Sequence, residues 1–180
     1  MAEDKGHNEK RVLQLKNEVF LPLVLEYVEQ GKTAEIPLKG VSMRPFLETE
    51  RDVGVLSKAR AFKKGDVVLA EIEKGHFVLH RIDRITLDGK NVKGLCEDPQ
   101  ADVTLRGDGN PKGTEHCKLK DVRALCGKVI RKGKLWNLQK SKRWKVYSWY
   151  WTHTLFMRRY QLAAFRLVFR HELPKRWKRK

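Results

Sequence analysis

Residues 67–86, VVLAEIEKGHFVLHRIDRIT, decide the fold class of this 180-residue chain. Apolar side chains alternate between two faces in the first half of the stretch, and a period of two is typical of a β-strand. Lys74-Gly75 is a two-residue hairpin signal, and residues 76–86 return with the same alternation. His80 lies inside this otherwise apolar second half. The stretch therefore predicts a β-hairpin that carries a histidine.

Short strands separated by turn residues are predicted on both sides of this hairpin. Before them, one helix is predicted over residues 11–30, where the apolar positions suit a helix face packed on a core. The predicted strands cover residues 34–38, 52–56, 67–73, 76–86, 91–95, 101–106 and 121–131. We therefore expect a mostly β domain, a coiled sheet or partly closed barrel with one N-terminal helix.

The charge of the chain is unevenly distributed. Residues 131–180 hold 16 Lys and Arg against the single acid Glu172, so the rest of the chain holds 23 of the 39 basic and 21 of the 22 acidic residues. All five tryptophans also lie in the basic segment. We expect a disordered N-terminus over 1–10, a near-neutral domain over 11–134 and a basic, Trp-rich amphipathic helical tail over 135–180.

Three interpretations of the tail remain open. Its aromatic and aliphatic residues interleave as in a helix that lies on a membrane, and its Lys and Arg would add attraction to an anionic surface. The same charge could bind nucleic-acid phosphate. The tail could also be a partner-binding or solvated basic arm. The interleaving favours an anionic membrane surface, with nucleic acid second.

Cysteine usage and hydropathy exclude several classes of protein. Cys96, Cys117 and Cys126 form no CxxC pair, so neither a disulfide framework nor a zinc site is indicated. His116 beside Cys117 gives two adjacent ligands without a second pair, so we expect no metal and no other cofactor. No signal-peptide pattern is present, and the apolar run at 19–25 is far shorter than the about 20 residues that span a bilayer. We expect a cytoplasmic protein, peripheral on the inner membrane face if the tail binds lipid.

A rigid turn is predicted at Gly40-Val41-Ser42-Met43-Arg44-Pro45. Glycine permits a close backbone approach, and proline prevents the next residues from continuing a strand or entering a helix. Most serines beside glycine are turn residues. Ser42 becomes a nucleophile only if a base lies within hydrogen-bond reach of its hydroxyl.

Two further residues supply a candidate base and acid. His80 suits the base because its unperturbed pKa of about 6.5 lets it accept and return a proton near neutrality. Asp108 lies in a loop dense in turn formers, residues 107–111. Each has a structural alternative, a satisfied core histidine and an Asx-turn aspartate. With Ser42 they make a nucleophile, base and orienting acid, a set defined by geometry rather than by chain order.

Four boxes in order resemble those of the signal peptidase and LexA-type superfamily. They are Gly40-x-Ser42-Met43-x-Pro45, Gly65-Asp66-Val67-Val68, His80-Arg81-Ile82 and Gly107-Asp108-Gly109-Asn110. Bacterial signal peptidases and LexA-type repressors use a Ser–Lys dyad, whereas archaeal and endoplasmic-reticulum signal peptidases have His at the lysine position, as this chain does. The resemblance implies a LexA/signal-peptidase-like coiled β-sheet domain with Ser42 as nucleophile, His80 as general base and Asp108 as the third residue.

The chain is similar to the small stand-alone members of that superfamily, because neither a transmembrane anchor nor a helix-turn-helix domain is predicted. We expect a serine endopeptidase that cleaves leader or pro-segments of peptides or proteins at the cytosolic membrane face. A non-catalytic membrane- or nucleic-acid-binding module that keeps the peptidase fold is the alternative. The backbone N–H of Ser42 would help to bind the oxyanion. Arg81 is expected on the opposite strand face from His80, in a salt bridge or at the surface.

Overall fold

The computed structural model describes residues 17–110 and 113–168. Within these ranges the helices are α1 Asn17–Glu29, α2 Lys142–His153 and α3 Leu155–Val168, with a 3-10 turn at Leu119–Asp121. The strands are β1 Ala34–Pro37, β2 Asp52–Ser57, β3 Val67–Glu73, β4 His76–Leu87, β5 Lys90–Asn91, β6 Asp102–Arg106, β7 Glu115–Lys118, β8 Val122–Arg131 and β9 Lys134–Asn137. The predicted disorder at 1–10, the predicted helix start at 11–16 and the tail end at 169–180 lie outside the described residues.

The strands form one antiparallel sheet in the order β1-β2-β8-β3-β4-β6-β7, with β5 on β4 and β9 on β8. β3 and β4 are the predicted hairpin, in which Val68 lies opposite His80 and Leu69 opposite Leu79. β8 lies between β2 and β3, so it joins the early part of the chain to the central hairpin. The chain is mostly antiparallel β-sheet with a few helices, which confirms the predicted mostly β class.

The sheet is buried on both faces. Val67 and Leu69 of β3 lie in one core, which α1 and Trp144 of α2 cover. Val68 and Ala70 lie in the other, against apolar residues of β4, β6 and β8. Successive side chains of a strand point to opposite faces, so the alternation along residues 67–73 supplies both cores at once. A strand buried on both faces reads as a nearly continuous apolar run.

The short edge strands differ most from the predictions. The strand predicted over 91–95 is reduced to β5, and neither β7 nor β9 was predicted. β7 reads EHCK, with no apolar alternation, and three of the four residues of β9 are exposed. Such strands are specified by pairing to a neighbour already in place, because they bury little apolar surface of their own.

α2 packs against the sheet rather than lying apart from it. Ser141 caps its N-terminus by accepting a hydrogen bond from the Trp144 N–H (3.3 Å). Trp144 is 8 % exposed, and its ring centroid lies 3.6 Å from that of Phe46. Tyr147, one turn further along, contacts the same phenylalanine. The division at residues 134 and 135 stays a prediction, but α2 shares a core with the domain before it.

None of the helices in the described ranges has both the length and the apolar character needed to cross a membrane.

Candidate catalytic site

Ser42 lies in the loop between β1 and β2. The loop is folded on itself by hydrogen bonds from Arg44 N–H to Val41 O (3.2 Å) and from Leu47 N–H to Met43 O (3.0 Å). Met43 and Leu47 are buried in the core beneath, whereas Ser42 is half-buried. Two core side chains therefore anchor the loop and leave the serine at its surface.

A second loop, between β6 and β7, packs directly on the Ser42 backbone. The Gly109 N–H donates to Ser42 O at 2.7 Å. A Cβ atom at position 109 would lie 2.7 Å from Val41 O, and one at position 107 would lie 2.5 Å from Ser42 O. Both distances are too short for a side chain. The glycines of the predicted Gly107-Asp108-Gly109 box are thus required by the close approach of two backbones.

His80 lies on β4 at the edge of this contact and is 4 % exposed. Its Nδ1 lies 2.7 Å from Oε2 of Glu115 on β7. The other ring nitrogen, Nε2, would be 3.1 Å from a Cβ placed on Gly107, the position that also approaches Ser42 O. Because Glu115 occupies Nδ1, Nε2 is the nitrogen directed toward the Ser42 loop. A carboxylate on Nδ1 also favours the tautomer in which Nε2 can accept a proton.

Ser42 and His80 line one cavity of about 460 Å³. Among the described residues no hydrogen bond joins Ser42 Oγ to His80 Nε2, so the two groups are neighbours across the cavity rather than a bonded pair. Catalytic hydrogen bonds are often long in a ligand-free site and shorten only when substrate binds. The structure therefore brings the predicted nucleophile and base to one cavity but does not join them.

The sequence predicted that Asp108 orients His80, but the structure pairs Asp108 with Arg81 instead. Both carboxylate oxygens accept hydrogen bonds from Arg81, Oδ1 from Nε at 2.9 Å and Oδ2 from Nη2 at 2.6 Å. The reason is the alternation of β4, which puts Arg81 on the opposite face from His80. A bidentate guanidinium pair satisfies the carboxylate there. Arg81 thus lies on the opposite face of β4 from His80 and forms a salt bridge, as predicted.

Glu115 takes the position on His80 that had been assigned to Asp108. It lies opposite Leu105 in the β6–β7 pairing, and Leu105 lies opposite Ile82 of β4. Residues directly opposite each other share a sheet face, so Glu115 and His80 are on the same face two strands apart. Sequence reasoning missed Glu115 because β7 itself was missed.

Arg81 connects the Asp108 loop to α2. Its Nη1 donates to Gly65 O and to Ser148 Oγ, both at 2.9 Å. Burial alone would lower the pKa of Arg81, but the adjacent Asp108 carboxylate outweighs this and raises it. The guanidinium is therefore charged, and both members of the pair are buried. From the same helix, Trp151 Nε1 donates to Asp108 O at 3.1 Å.

A second charged cluster fixes the far end of the Ser42 loop. Asp52, at the start of β2, is 1 % exposed. It accepts hydrogen bonds from Arg131 Nε at 2.7 Å and from Arg51 Nη2 at 2.8 Å. Both arginines also donate to Phe46 O. The loop is thus held at residue 46 by this cluster and at residue 42 by Gly109.

Most residues of the cavity wall are apolar, and its polar side chains are Lys39, Ser42, Thr49 and His80. α1, β1, β4 and the Ser42 loop line the cavity, and its apolar side chains include Phe20, Leu21, Ile36, Leu38, Phe77 and Leu79. β4 pairs with β6 only from Arg81 onward, so Phe77 to His80 have one edge without a strand neighbour. β1 is the end strand of the sheet and also lines the cavity. Two strand edges that have no strand neighbour among the described residues therefore lie beside Ser42 and His80.

His116 and Cys117, where the sequence predicts no metal, are neighbours on β7. No group of three or more His, Cys, Asp or Glu in the described ranges could hold a metal ion. His116 lies within 3.5 Å of Thr104 Oγ1 instead. Burial raises the pKa of Cys117 to about 11, so its sulfur is a protonated thiol near neutrality.

Comparisons with family models, with curated proteins and with solved structures found no match to this chain.

Proposed function

We propose that the protein is a serine endopeptidase, with Ser42 as nucleophile, His80 as general base and Glu115 as the residue that orients the histidine. One observation carries the proposal. Nδ1 of His80 is held by Glu115 at 2.7 Å, which leaves Nε2 directed toward the Ser42 loop at an open, mostly apolar cavity. A core histidine with only a structural role would not need a free ring nitrogen beside a serine in a cleft.

The reaction follows from these positions. Ser42 Oγ attacks the carbonyl carbon of a peptide bond while His80 Nε2 takes the hydroxyl proton, and the Glu115 carboxylate stabilises the imidazolium. The imidazolium then gives its proton to the leaving amine, and an ester on Ser42 remains. Water, deprotonated by the same nitrogen, hydrolyses this ester and restores the serine. The Ser42 N–H is a candidate donor to the oxyanion.

The cavity supports a peptide substrate in extended form. The unpaired edges of β1 and β4 offer backbone hydrogen bonds to an added strand, and the apolar walls between them would receive its side chains. Leader or pro-segments of peptides and proteins are extended chains of this kind. The resemblance of the four boxes to the LexA and signal peptidase superfamily supports the same assignment, with a coiled-sheet peptidase fold and a Ser–His site at the cytosolic membrane face.

The test is digestion of a degenerate peptide library, read by mass spectrometry. Wild type should cut, and Ser42→Ala and His80→Ala should lose the cuts. Glu115→Gln should lower kcat by about 10²- to 10⁴-fold, because the imidazolium of His80 then lacks the carboxylate that orients and stabilises it. Ser57→Ala and His116→Ala are the matched controls, since neither residue lines the cavity.

The alternative is a non-catalytic binding module that keeps the same fold. The missing hydrogen bond between Ser42 and His80 is the observation that favours it. Cuts that persist in Ser42→Ala would assign the activity to a contaminant, and no cuts from wild type with any library peptide would favour the module. Steep salt dependence of binding to DNA or RNA would then identify a nucleic-acid partner.

A further inference from the structure

α2 and α3 each carry two faces of different environment. The inner face is buried and includes Trp144, Trp151, Arg158 and Leu162. The outer face comprises the exposed side chains Val146, Trp149, Tyr150, Phe156, Met157, Tyr160, Leu167 and Val168. Packing on the domain therefore leaves a second set of apolar side chains on these helices exposed.

The outer face is large and apolar for a protein surface. Phe156 is 76 % exposed, Leu167 is 75 % exposed and Trp149 is 62 % exposed. On α3, Phe156, Tyr160 and Leu167 recur at helical spacings of four and seven, so they form one stripe along the helix. An exposed stripe of aromatic and aliphatic residues on adjacent helices marks an interaction surface.

Positive charge surrounds this stripe. The chain has no Asp or Glu between Val122 and His171. Lys142, Lys145 and Arg159 are exposed on the same two helices. An apolar stripe bordered by charge of one sign fits a partner that offers both an apolar layer and negative charge.

Other binding partners would match only part of the chemistry of this surface. A second copy of the chain would place two basic surfaces against each other, in a protein that already carries a net charge of +17. Nucleic acid would neutralise the charge, but phosphate and sugar leave aliphatic side chains such as Val146 and Leu167 in water. An anionic bilayer offers phosphate headgroups to the lysines and hydrocarbon to the stripe.

We propose that the outer face of α2 and α3 binds the surface of an anionic lipid bilayer, with both helices parallel to the membrane plane. The helices have 12 and 14 residues, too short to cross a hydrocarbon layer of about 30 Å at about 1.5 Å per residue. Aromatic residues such as Trp149 and Tyr160 occupy the headgroup boundary. Lipid binding does not depend on the proposed peptidase activity.

The orientation of the catalytic cavity follows if both proposals hold. The inner face of α2 contacts the Asp108 loop through Trp151, and that loop lies on the Ser42 backbone. Ser148 of the same face accepts a hydrogen bond from Arg81, the partner of Asp108. A membrane bound to the outer face would therefore lie across α2 from the loop that supports the serine. The cavity would keep one fixed direction relative to the bilayer.

The experiment is flotation of the full chain with vesicles of phosphatidylcholine, with and without about 30 % phosphatidylglycerol. Wild type should float with the anionic vesicles only, and less at high salt. A triple variant of the outer face should bind at least about tenfold more weakly, because each substitution removes an apolar side chain from the bilayer. Its substitutions are Trp149→Ser, Phe156→Ser and Leu167→Ser.

A matched triple variant controls for general loss of surface hydrophobicity. It changes three exposed apolar residues outside α2 and α3, Leu23→Ser, Tyr27→Ser and Leu95→Ser, and should float as wild type does. Ser42→Ala should also float as wild type, which separates lipid binding from catalysis. Circular dichroism melts of each variant establish that it is folded before it is compared.

Three outcomes would overturn the proposal. Equal flotation with neutral and anionic vesicles would remove the role of charge, and undiminished flotation of the outer-face variant would remove the role of the stripe. Short duplex DNA that binds wild type tightly and displaces it from vesicles, with the outer-face variant binding DNA equally well, would identify a nucleic-acid surface instead.

Discussion

Removal of the Asp108 carboxylate should destabilise the protein far more than removal of an exposed carboxylate. The Arg81 and Asp108 side chains are 2 % and 1 % exposed, and two hydrogen bonds join them. Asp108→Ala leaves the guanidinium charged and buried without its counterion. Breaking such a pair costs about 3–5 kcal/mol. Arg81 Nη1 keeps Gly65 O and Ser148 Oγ as acceptors, so we expect the lower half of that range.

The assay is urea unfolding followed by tryptophan fluorescence. An exposed ion pair provides the control, Lys118 with Asp102 at 2.7 Å, whose side chains are 42 % and 64 % exposed. Asp102→Ala should cost about 0–1 kcal/mol, because solvent screens the pair. The double variant Arg81→Met, Asp108→Ala should lose less stability than the two single variants added together, since the uncompensated charge is absent.

The same variant distinguishes the two roles considered for Asp108. If Asp108 acts through the Arg81 pair, Asp108→Ala changes the free energy of unfolding, and any loss of peptidase activity follows the loss of folded protein. A loss below about 1 kcal/mol would contradict the reasoning from burial. So would an unchanged stability with a large loss of kcat, which is the behaviour expected of a residue that orients His80.

Two further predictions concern the backbone and the charges that hold the Ser42 loop. Gly109→Ala should cost about 1–3 kcal/mol and reduce any peptidase activity, because its Cβ would lie 2.7 Å from Val41 O. Gly113→Ala is the control, because a Cβ at position 113 would meet nothing within 4 Å, and it should change neither stability nor activity. Equal losses of stability in Gly109→Ala and Gly113→Ala, measured by urea unfolding, would refute the steric argument. Burial raises the pKa of Asp52, but hydrogen bonds from Arg51 and Arg131 outweigh it and hold that pKa below its usual value. The ionised carboxylate therefore stabilises the fold above its unfolded pKa, and this stability is lost as pH falls through the lower folded pKa. Asp52→Asn should lower the free energy of unfolding at neutral pH, and this free energy should fall less steeply below about pH 4 than it does in wild type. Parallel curves of stability against pH for the two proteins would contradict this prediction.

The parts of the fold that the sequence specifies locally were predictable. The alternation along β3 and β4 gave the central hairpin, because a strand buried on both faces displays its burial in its own residues. β7 and β9 escaped prediction because pairing to a neighbour specifies them. The inner face of α2 did carry a signal, since Trp144, Ser148 and Trp151 recur at helical spacing. That spacing would have placed the helix on a core.

The residues of the candidate site were also predictable only where a short stretch of sequence specifies them. Ser42 and His80 were named from short motifs, and the structure places both at one cavity. Glu115 could not be named, because its partnership with His80 depends on the register of two strand pairs. Asp108 was misassigned because chain order does not say which face of β4 a loop residue reaches. Arg81, the neighbour of His80, points to the opposite face of β4 and binds the Asp108 carboxylate there.

The Ser148 hydroxyl contacts Arg81 from 67 positions later in the chain. A ribosome makes residues 42, 80, 108 and 115 before it makes α2, and the growing chain exposes them first. Until α2 emerges, the Arg81–Asp108 pair lacks the cover of Trp144 and Trp151. The final geometry around the serine is therefore completed only after α2 emerges, when the sheet that surrounds it has already left the exit tunnel.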